Sequence, residues 1–269
     1  MSPLEVWFPD GLGIETLALV MLVALAAGWI DAVVGGGGLL QLPALLLVPG
    51  LAPVQALATN KLSSIFGTAT ASVTYVRRVR PDMRTALPMA GFALAGSFGG
   101  AAVATVLPAA VFKPIIVVAM LAVAIFVAVR PTLGAATSLR FARNRHLVVA
   151  CALGAGIGFY DGILGPGTGT FLIIALVSIL GYDFISSSAK AKIVNLATNM
   201  GALLLFIPTG SVMWGLGLSM AMMNMVGGYL GSRTAIARGS GFVRVVFLVV
   251  VGMLILKLGY DVWDESIRT

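Results

Sequence analysis

Apolar stretches of about 20 residues recur along this chain from end to end, and no other feature limits its fold so tightly. At 1.5 Å per residue such a stretch reaches about 30 Å, the thickness of a bilayer's hydrocarbon core. Long apolar spans run at Thr16–Val34, Pro53–Val76, Thr85–Val106, Ala109–Val129, Leu147–Leu164, Ile185–Ile207, Val212–Leu230 and Val243–Tyr260. Composition agrees: of 269 residues 59% are hydrophobic and 10% charged, too little polar surface to clothe a soluble domain. The opening MSPLEVWFPDGLGIETL has acidic residues and no basic segment before its apolar run, so it reads as a retained span, not a cleaved signal. A single cysteine, Cys151, excludes an internal disulfide framework, and the lone His146 offers no metal cluster. No catalytic group, metal or cofactor is expected.

Two shorter apolar pieces, Leu39–Val48 and Gly169–Leu180, follow the glycine runs GGGG (Gly35, Gly36, Gly37, Gly38) and GPGTG (Gly165 to Gly169). Each reaches only about 15–18 Å, roughly half a bilayer, and so reads as the returning arm of a broken, re-entrant helix. Four consecutive glycines each forfeit about 1 kcal/mol of helix propensity relative to alanine. Pro166 breaks the second run by removing a backbone donor and clashing with the preceding turn. Neither run follows a strand, so a dinucleotide or phosphate loop is a poor reading. The glycines of AGFALAGSFGGAA (Ala90 to Ala102) and MVGGYLGS (Met225 to Ser232) instead read as helix-packing surfaces.

Eleven of the twelve arginines fall in three clusters: Arg77, Arg78, Arg80 and Arg84; Arg130, Arg140, Arg143 and Arg145; Arg233, Arg238 and Arg244. The preference of Lys and Arg for the cytoplasmic side wants all three on one face. Eight simple crossings put the third cluster opposite the others; a fifth element that returns to its own side restores the parity. The net charge of +7 is then explained by topology and anionic lipid, and nucleic acid is not required.

The chain also repeats. GWIDAVVGGGGLLQL (Gly28 to Leu42) aligns with GFYDGILGPGTGTFL (Gly158 to Leu172), matching Asp31 to Asp161, Gly35 to Gly165 and Gly37 to Gly167. NKLSSIFGT (Asn60 to Thr68) aligns with AKIVNLATN (Ala191 to Asn199), matching Lys61 to Lys192. The expected fold is an all-α integral membrane protein of eight helical elements in two inverted-topology repeats, each opening with a broken re-entrant helical hairpin. Residues 1–130 form the first repeat, 131–145 a cytoplasmic linker and 146–269 the second repeat. The protein would be multi-pass in the inner (plasma) membrane with both termini periplasmic. A plain first span with its N-terminus inside satisfies the arginines equally, and only the repeat decides between them.

Lys61 and Lys192 sit deep in apolar helices, where a charge costs about 2.5–3.5 kcal/mol even on lenient insertion scales and marks a pathway by default. Each glycine break exposes the N-terminus of a half-helix, whose free N–H groups and dipole favour an anion. The candidate anion site is therefore Gly35, Gly36, Gly37, Gly38, Lys61, Ser64, Gly165, Gly167, Thr168, Gly169, Lys192 and Asn195, with Ser63, Thr170 and Asn199 as further neutral donors. The alternative is that the lysines only pair with Asp31 and Asp161 to hold the hairpins. Those aspartates lie four residues before each break, as proton carriers or as structural ion pairs.

At these residues the chain resembles the TauE/SafE family of sulfite and organosulfonate exporters, especially its YfcA-like branch. The stretches GWIDAVVGGGGLLQLPALLL, ALATNKLSSIFGTATASVTY, GFYDGILGPGTGTFL, AKAKIVNLATNMGALLLF and GGYLGSRTAIARG carry the resemblance over nearly the whole chain. It implies a transporter of eight helical elements in a lipid bilayer that moves small sulfur-containing or organic anions, often outward; Asp31 and Asp161 leave proton or cation coupling open, and a homodimer is compatible with the chain. The halves differ at Asn60 versus Ala191 and at Ser64 versus Asn195, so the site is not symmetric. An anion channel, with GPGTG as its filter, is the rival. A second is an intramembrane aspartyl protease built on Tyr160–Asp161 and Asp31, but the Gly-x-Gly-Asp motif it needs is absent.

Overall fold

A computed structural model describes residues 7–9, 11–108 and 137–268. The expected span Ala109–Val129 lies outside these residues. Among them the chain is helical, without strands. In order, the helices are α1 (Ile14–Val34), α2 (Gly37–Leu46), α3 (Pro53–Val79), α4 (Met83–Val106), α5 (Arg143–Ile163), α6 (Thr168–Ala175), α7 (Phe184–Phe206) and α8 (Trp214–Arg268). A π-helical turn, Leu176–Leu180, extends α6. The two spans expected at Val212–Leu230 and Val243–Tyr260 belong to one run, α8, broken between them at Gly239.

Local chemistry sets the starts. Pro53 opens α3 where its missing N–H has no helical partner to lose, and the Ala52 N–H donates to the Gln55 side chain at 3.0 Å. Asp82 caps α4 by accepting from the Arg84 N–H, and Asp183 caps α7 by accepting from the Ser186 N–H. Among the described residues, three helices are long and apolar enough to cross a membrane: Ile14–Val34, Met83–Val106 and Arg143–Ile163. The helices that carry the buried lysines, α3 and α7, are not among them. Their polar residues are enclosed by neighbouring helices: Thr59, Asn60, Lys61, Ser63 and Thr68 on α3, and Ser187, Ser188, Lys190, Lys192, Asn195, Thr198 and Asn199 on α7, are all buried.

Packing runs through glycine, as the sequence implies. Helix α4 lies against α5, with Gly96 and Gly100 under Ala155 and Phe159, and with Gly154, Gly158 and Gly162 under Met89, Ala93 and Ser97. Helix α8 lies against α1 and α3 through Gly227, Gly231 and Gly228. Small residues let backbones approach and multiply dispersion contacts where lipid supplies no hydrophobic drive. Asn224 adds a polar tie, its amide donating to the Gln41 side chain at 2.8 Å and to the Ala24 carbonyl at 3.1 Å.

Arginines of the first two clusters meet at one end of the described structure, with the chain beside Arg238 close by. Arg84 and Arg143 line the same open cavity as Tyr182, and Ser240, next to the Gly239 break and two residues after Arg238, donates to Asp183. The start of α5 and the end of the α6 extension also meet at this end. The Ser138 N–H donates to the Gly181 carbonyl at 2.7 Å, and His146 Nε2 lies 2.9 Å from the Tyr182 hydroxyl.

The α4–α5 seam predicts a clear contrast. A Cβ at Gly158 would collide with the Ala93 carbonyl oxygen, whereas one at Gly156 meets nothing within 4 Å. Gly158→Ala should lower stability in detergent by about 1–3 kcal/mol, as overpacked sites do. Gly156→Ala should stay within about 0.5 kcal/mol, as open surface sites do. Equal responses in thermal unfolding would contradict the seam.

Candidate functional site

The two glycine breaks meet back to back in the interior. Gly35 and Gly165 both take the left-handed backbone conformation, φ 80° and 84°, which a side chain would strain. There is also no room for one at Gly35, whose Cβ would strike the Gly169 backbone. The Thr170 N–H donates to the Gly35 carbonyl at 3.1 Å, and its hydroxyl donates to the Val34 carbonyl at 3.0 Å. Thr170, expected as a free donor, thus stitches one break to the other. Gly38 faces the Gly165 carbonyl across 3.3 Å from an ideal Cβ.

Both lysines reach across this junction. Lys61 on α3 pairs with Asp161 on α5 at 2.6 Å, and Lys192 on α7 pairs with Asp31 on α1 at 2.7 Å. Each ammonium therefore takes its counter-ion from the other end of the sequence, not from the aspartate that precedes its own glycine run. Taking a lone ammonium out of water costs several kcal/mol, so a carboxylate in contact is what lets each lysine be buried and charged. Thr168 supports the first pair, its hydroxyl donating to the other Asp161 oxygen at 2.6 Å. Two ammonium groups and two carboxylates leave the site formally neutral.

A small cavity of about 20 Å³ sits at the centre, lined by Asp31, Gly35, Gly38, Asn60, Lys61, Ser64, Asp161, Gly165, Thr168, Gly169, Asn195 and Asn199. That is room for about one water. Most of the residues expected at the site line it together. Gly36 and Gly37 lie beside it, with Gly37 packed on Ala27 and Asp31 of α1, and Gly167 caps α6. Lys192 is joined to it through Asp31. Ser63 is buried without a hydrogen-bond partner. Asn199 donates to Thr68 at 3.5 Å.

Asn60 stands out in the sequence only as a difference between the halves, yet it lines the cavity and its side-chain oxygen is buried without a hydrogen-bond partner among the described residues. The signal for it was its place beside Lys61 in an apolar helix. Apolar packing closes the site on two sides. One cluster holds Val33, Val34, Tyr75, Leu172 and Val194; the other holds Leu39, Leu42, Leu62, Leu164 and Ala202. Along α7, Asn195, Thr198 and Asn199 fall between these two clusters. No group of three or more His, Cys, Asp or Glu that could hold a metal occurs among the described residues.

Comparison with known proteins gives one family. The family model described as "Sulfite exporter TauE/SafE" matches residues 20–258. A "Probable membrane transporter protein ORF9" of Sinorhizobium sp is 35% identical over 250 residues, covering 93% of this chain and 95% of that protein. The "Probable membrane transporter protein YfcA" of Escherichia coli K12 is 34% identical over 251 residues, with 93% and 92% covered. A more distant relative, the "Probable membrane transporter protein YdhB" of Bacillus subtilis, is 25% identical over 217 residues. No solved structure matches. With a family model spanning most of its length and relatives aligned almost end to end, the chain belongs to the TauE/SafE family of membrane transporters.

Proposed function

We propose that this protein is a secondary carrier that exports a small anion, such as sulfite or an organosulfonate, across the plasma membrane by alternating access. The observation that carries the reading is the pair of buried lysines beside the glycine breaks, each held by a carboxylate that an anion can replace. Two ammonium groups, the N-termini of two half-helices and the amides of Asn60 and Asn195 form the kind of surroundings an oxyanion replaces its hydration shell with. The inverted repeat read from the sequence supplies the two packings that alternating access needs. With the arginines facing the cytoplasm, both termini would be periplasmic and the glycine breaks would belong to re-entrant hairpins.

The central cavity is too small for a sulfur oxyanion, which suits a carrier in a closed state. To admit the anion, Lys61 or Lys192 must release its aspartate. A carboxylate left buried without its cation is strongly disfavoured and takes a proton or binds a cation in exchange. Anion movement would thereby be tied to proton or cation movement. The same geometry speaks against an aspartyl protease, whose two carboxylates must share one proton. Here Asp31 and Asp161 are each engaged by a different lysine.

Proteoliposomes loaded with sulfite, sulfoacetate, taurine, acetate or chloride test the reading. A carrier gives saturable efflux of a sulfur oxyanion that responds to an imposed pH gradient; flux that rises linearly with concentration would favour a channel. Thermal unfolding supplies an independent check on the site. The transported anion at about 100 times its Kd should raise the stability of the wild-type protein by about 2.7 kcal/mol. Lys61→Ala and Lys192→Ala should show no such rise, and an undiminished rise in both would make the lysines purely structural.

A further inference from the structure

A second cationic centre lies at the arginine-rich end, outside the central site. An open cavity of about 960 Å³ is lined by residues that include Asp82, Arg84, Arg143, Asn144, His146 and Tyr182. Behind the Tyr182 ring sits Lys190, 2% exposed, its ammonium 3.7 Å from the ring centre. Unlike Lys61 and Lys192, it forms no ion pair among the described residues; Asp82 and Asp183 act on it only from farther away.

Both of those carboxylates are already engaged. Asp82 accepts from the Thr85 hydroxyl and the Arg84 N–H, and Asp183 from the Ser186 N–H and the Thr137 hydroxyl. Burial alone would raise both carboxyls, but their hydrogen bonds together outweigh it and hold them below the usual range, so both are charged at neutral pH. In the cavity wall Arg84 and Arg143 outnumber Asp82, and Lys190 adds its charge from behind.

The hydrogen-bond chain at the back of the cavity has a free end. Tyr182 donates to Thr85 at 3.3 Å, so it accepts from His146 Nε2 at 2.9 Å, and Thr85 donates on to Asp82 at 2.7 Å. The remaining ring nitrogen, His146 Nδ1, is buried with no hydrogen-bond partner among the described residues, although the residue lines a polar, open cavity. With the proton on Nε2, Nδ1 is an acceptor and makes no demand for an anion; the buried Lys190 ammonium behind the same tyrosine, without an opposite charge in contact, does.

We propose that this cavity is a second binding site for a small oxyanion, a loading station at the arginine-rich end, with Arg84 and Arg143 at its mouth and Lys190 behind Tyr182. Its role in loading rests on the transport reading; its occupancy by an anion does not. A buried cation behind the Tyr182 ring holds an anion near the α7 helix that also carries Lys192, before any rearrangement of the central pairs. Phosphate headgroups of anionic lipids share the chemistry, and the experiment separates the two sources.

The probe is the full chain carrying Cys151→Ala and Asn144→Cys, in nanodiscs of phosphatidylcholine, modified by an anionic or a cationic methanethiosulfonate reagent. Rates are normalised to a free thiol, and sulfate is the competing anion. The anionic reagent should be favoured on the order of 10-fold, the scale on which a charged cleft concentrates its counter-ion. Sulfate should slow it several-fold. That protection should persist in Lys61→Ala, vanish in Lys190→Met and in Arg143→Gln, and survive in Lys190→Arg.

Absence of charge preference or of sulfate protection would overturn the site. So would protection that Lys61→Ala abolishes, since the anion would then sit centrally. Protection by added phosphatidylglycerol without sulfate would assign the cavity to a lipid headgroup and overturn the loading station. Because labelling needs no transport, loss of flux in proteoliposomes with protection intact would fail the carrier reading alone.

Discussion

Burying an ammonium group away from water without a counter-ion is costly, and the centre of this fold is arranged around supplying two such partners. Lys61 and Lys192 are each fully enclosed, and each finds a carboxylate contributed by a helix distant in sequence. Removing one member of such a pair costs about 3–5 kcal/mol because the other charge is left stranded. The pairs therefore fasten α3 to α5 and α7 to α1, and they fix how the two glycine breaks face each other. The small central cavity, the engaged Thr168 hydroxyl and the apolar clusters on either side all follow from that docking.

The glycines make the docking sterically feasible. Where Gly35 meets Gly169, backbone touches backbone, and the Thr170 N–H bonds to the Gly35 carbonyl in place of a helical partner. A helix broken inside a membrane must satisfy its freed backbone groups from protein, and here one break partly satisfies the other. The same residues that permit the break also present half-helix N-termini beside the lysines. In this account stability and anion recognition use the same atoms, so an arriving anion acts by substituting for a carboxylate that already holds the structure closed.

Much of this was legible in the residues themselves. Apolar length gave the described helices, the runs at Gly35 and Gly165 the breaks, and Lys61, Lys192, Asp31 and Asp161 stood out as charges in apolar helices. The glycine seams of α4 and α8 were visible as spacing, and Arg84 and Arg143, from two separate clusters, do line one cavity. Which aspartate serves which lysine was not legible, because partners 100 and 161 residues apart are chosen by tertiary docking and not by local pattern. Lys190 was hidden by its neighbour: two residues from Lys192 on a helix of 3.6 residues per turn, it points to the opposite side and belongs to a different cavity. Thr170 read as a ligand group because nothing local reveals that its N–H and hydroxyl are taken by the Gly35 and Val34 carbonyls at the other glycine break.

The crossed pairing is the central claim, and a set of double-mutant cycles on unfolding in detergent tests it most directly. Lys61→Met and Asp161→Asn, and likewise Lys192→Met and Asp31→Asn, should be strongly non-additive, each double mutant milder than its singles imply, with coupling of about 2–3 kcal/mol. The same-half combinations, Lys61 with Asp31 and Lys192 with Asp161, should add to within about 0.5 kcal/mol. Strong coupling within each half and none between halves would contradict the account, because each lysine would then be holding its own hairpin and the two breaks would not be tied together.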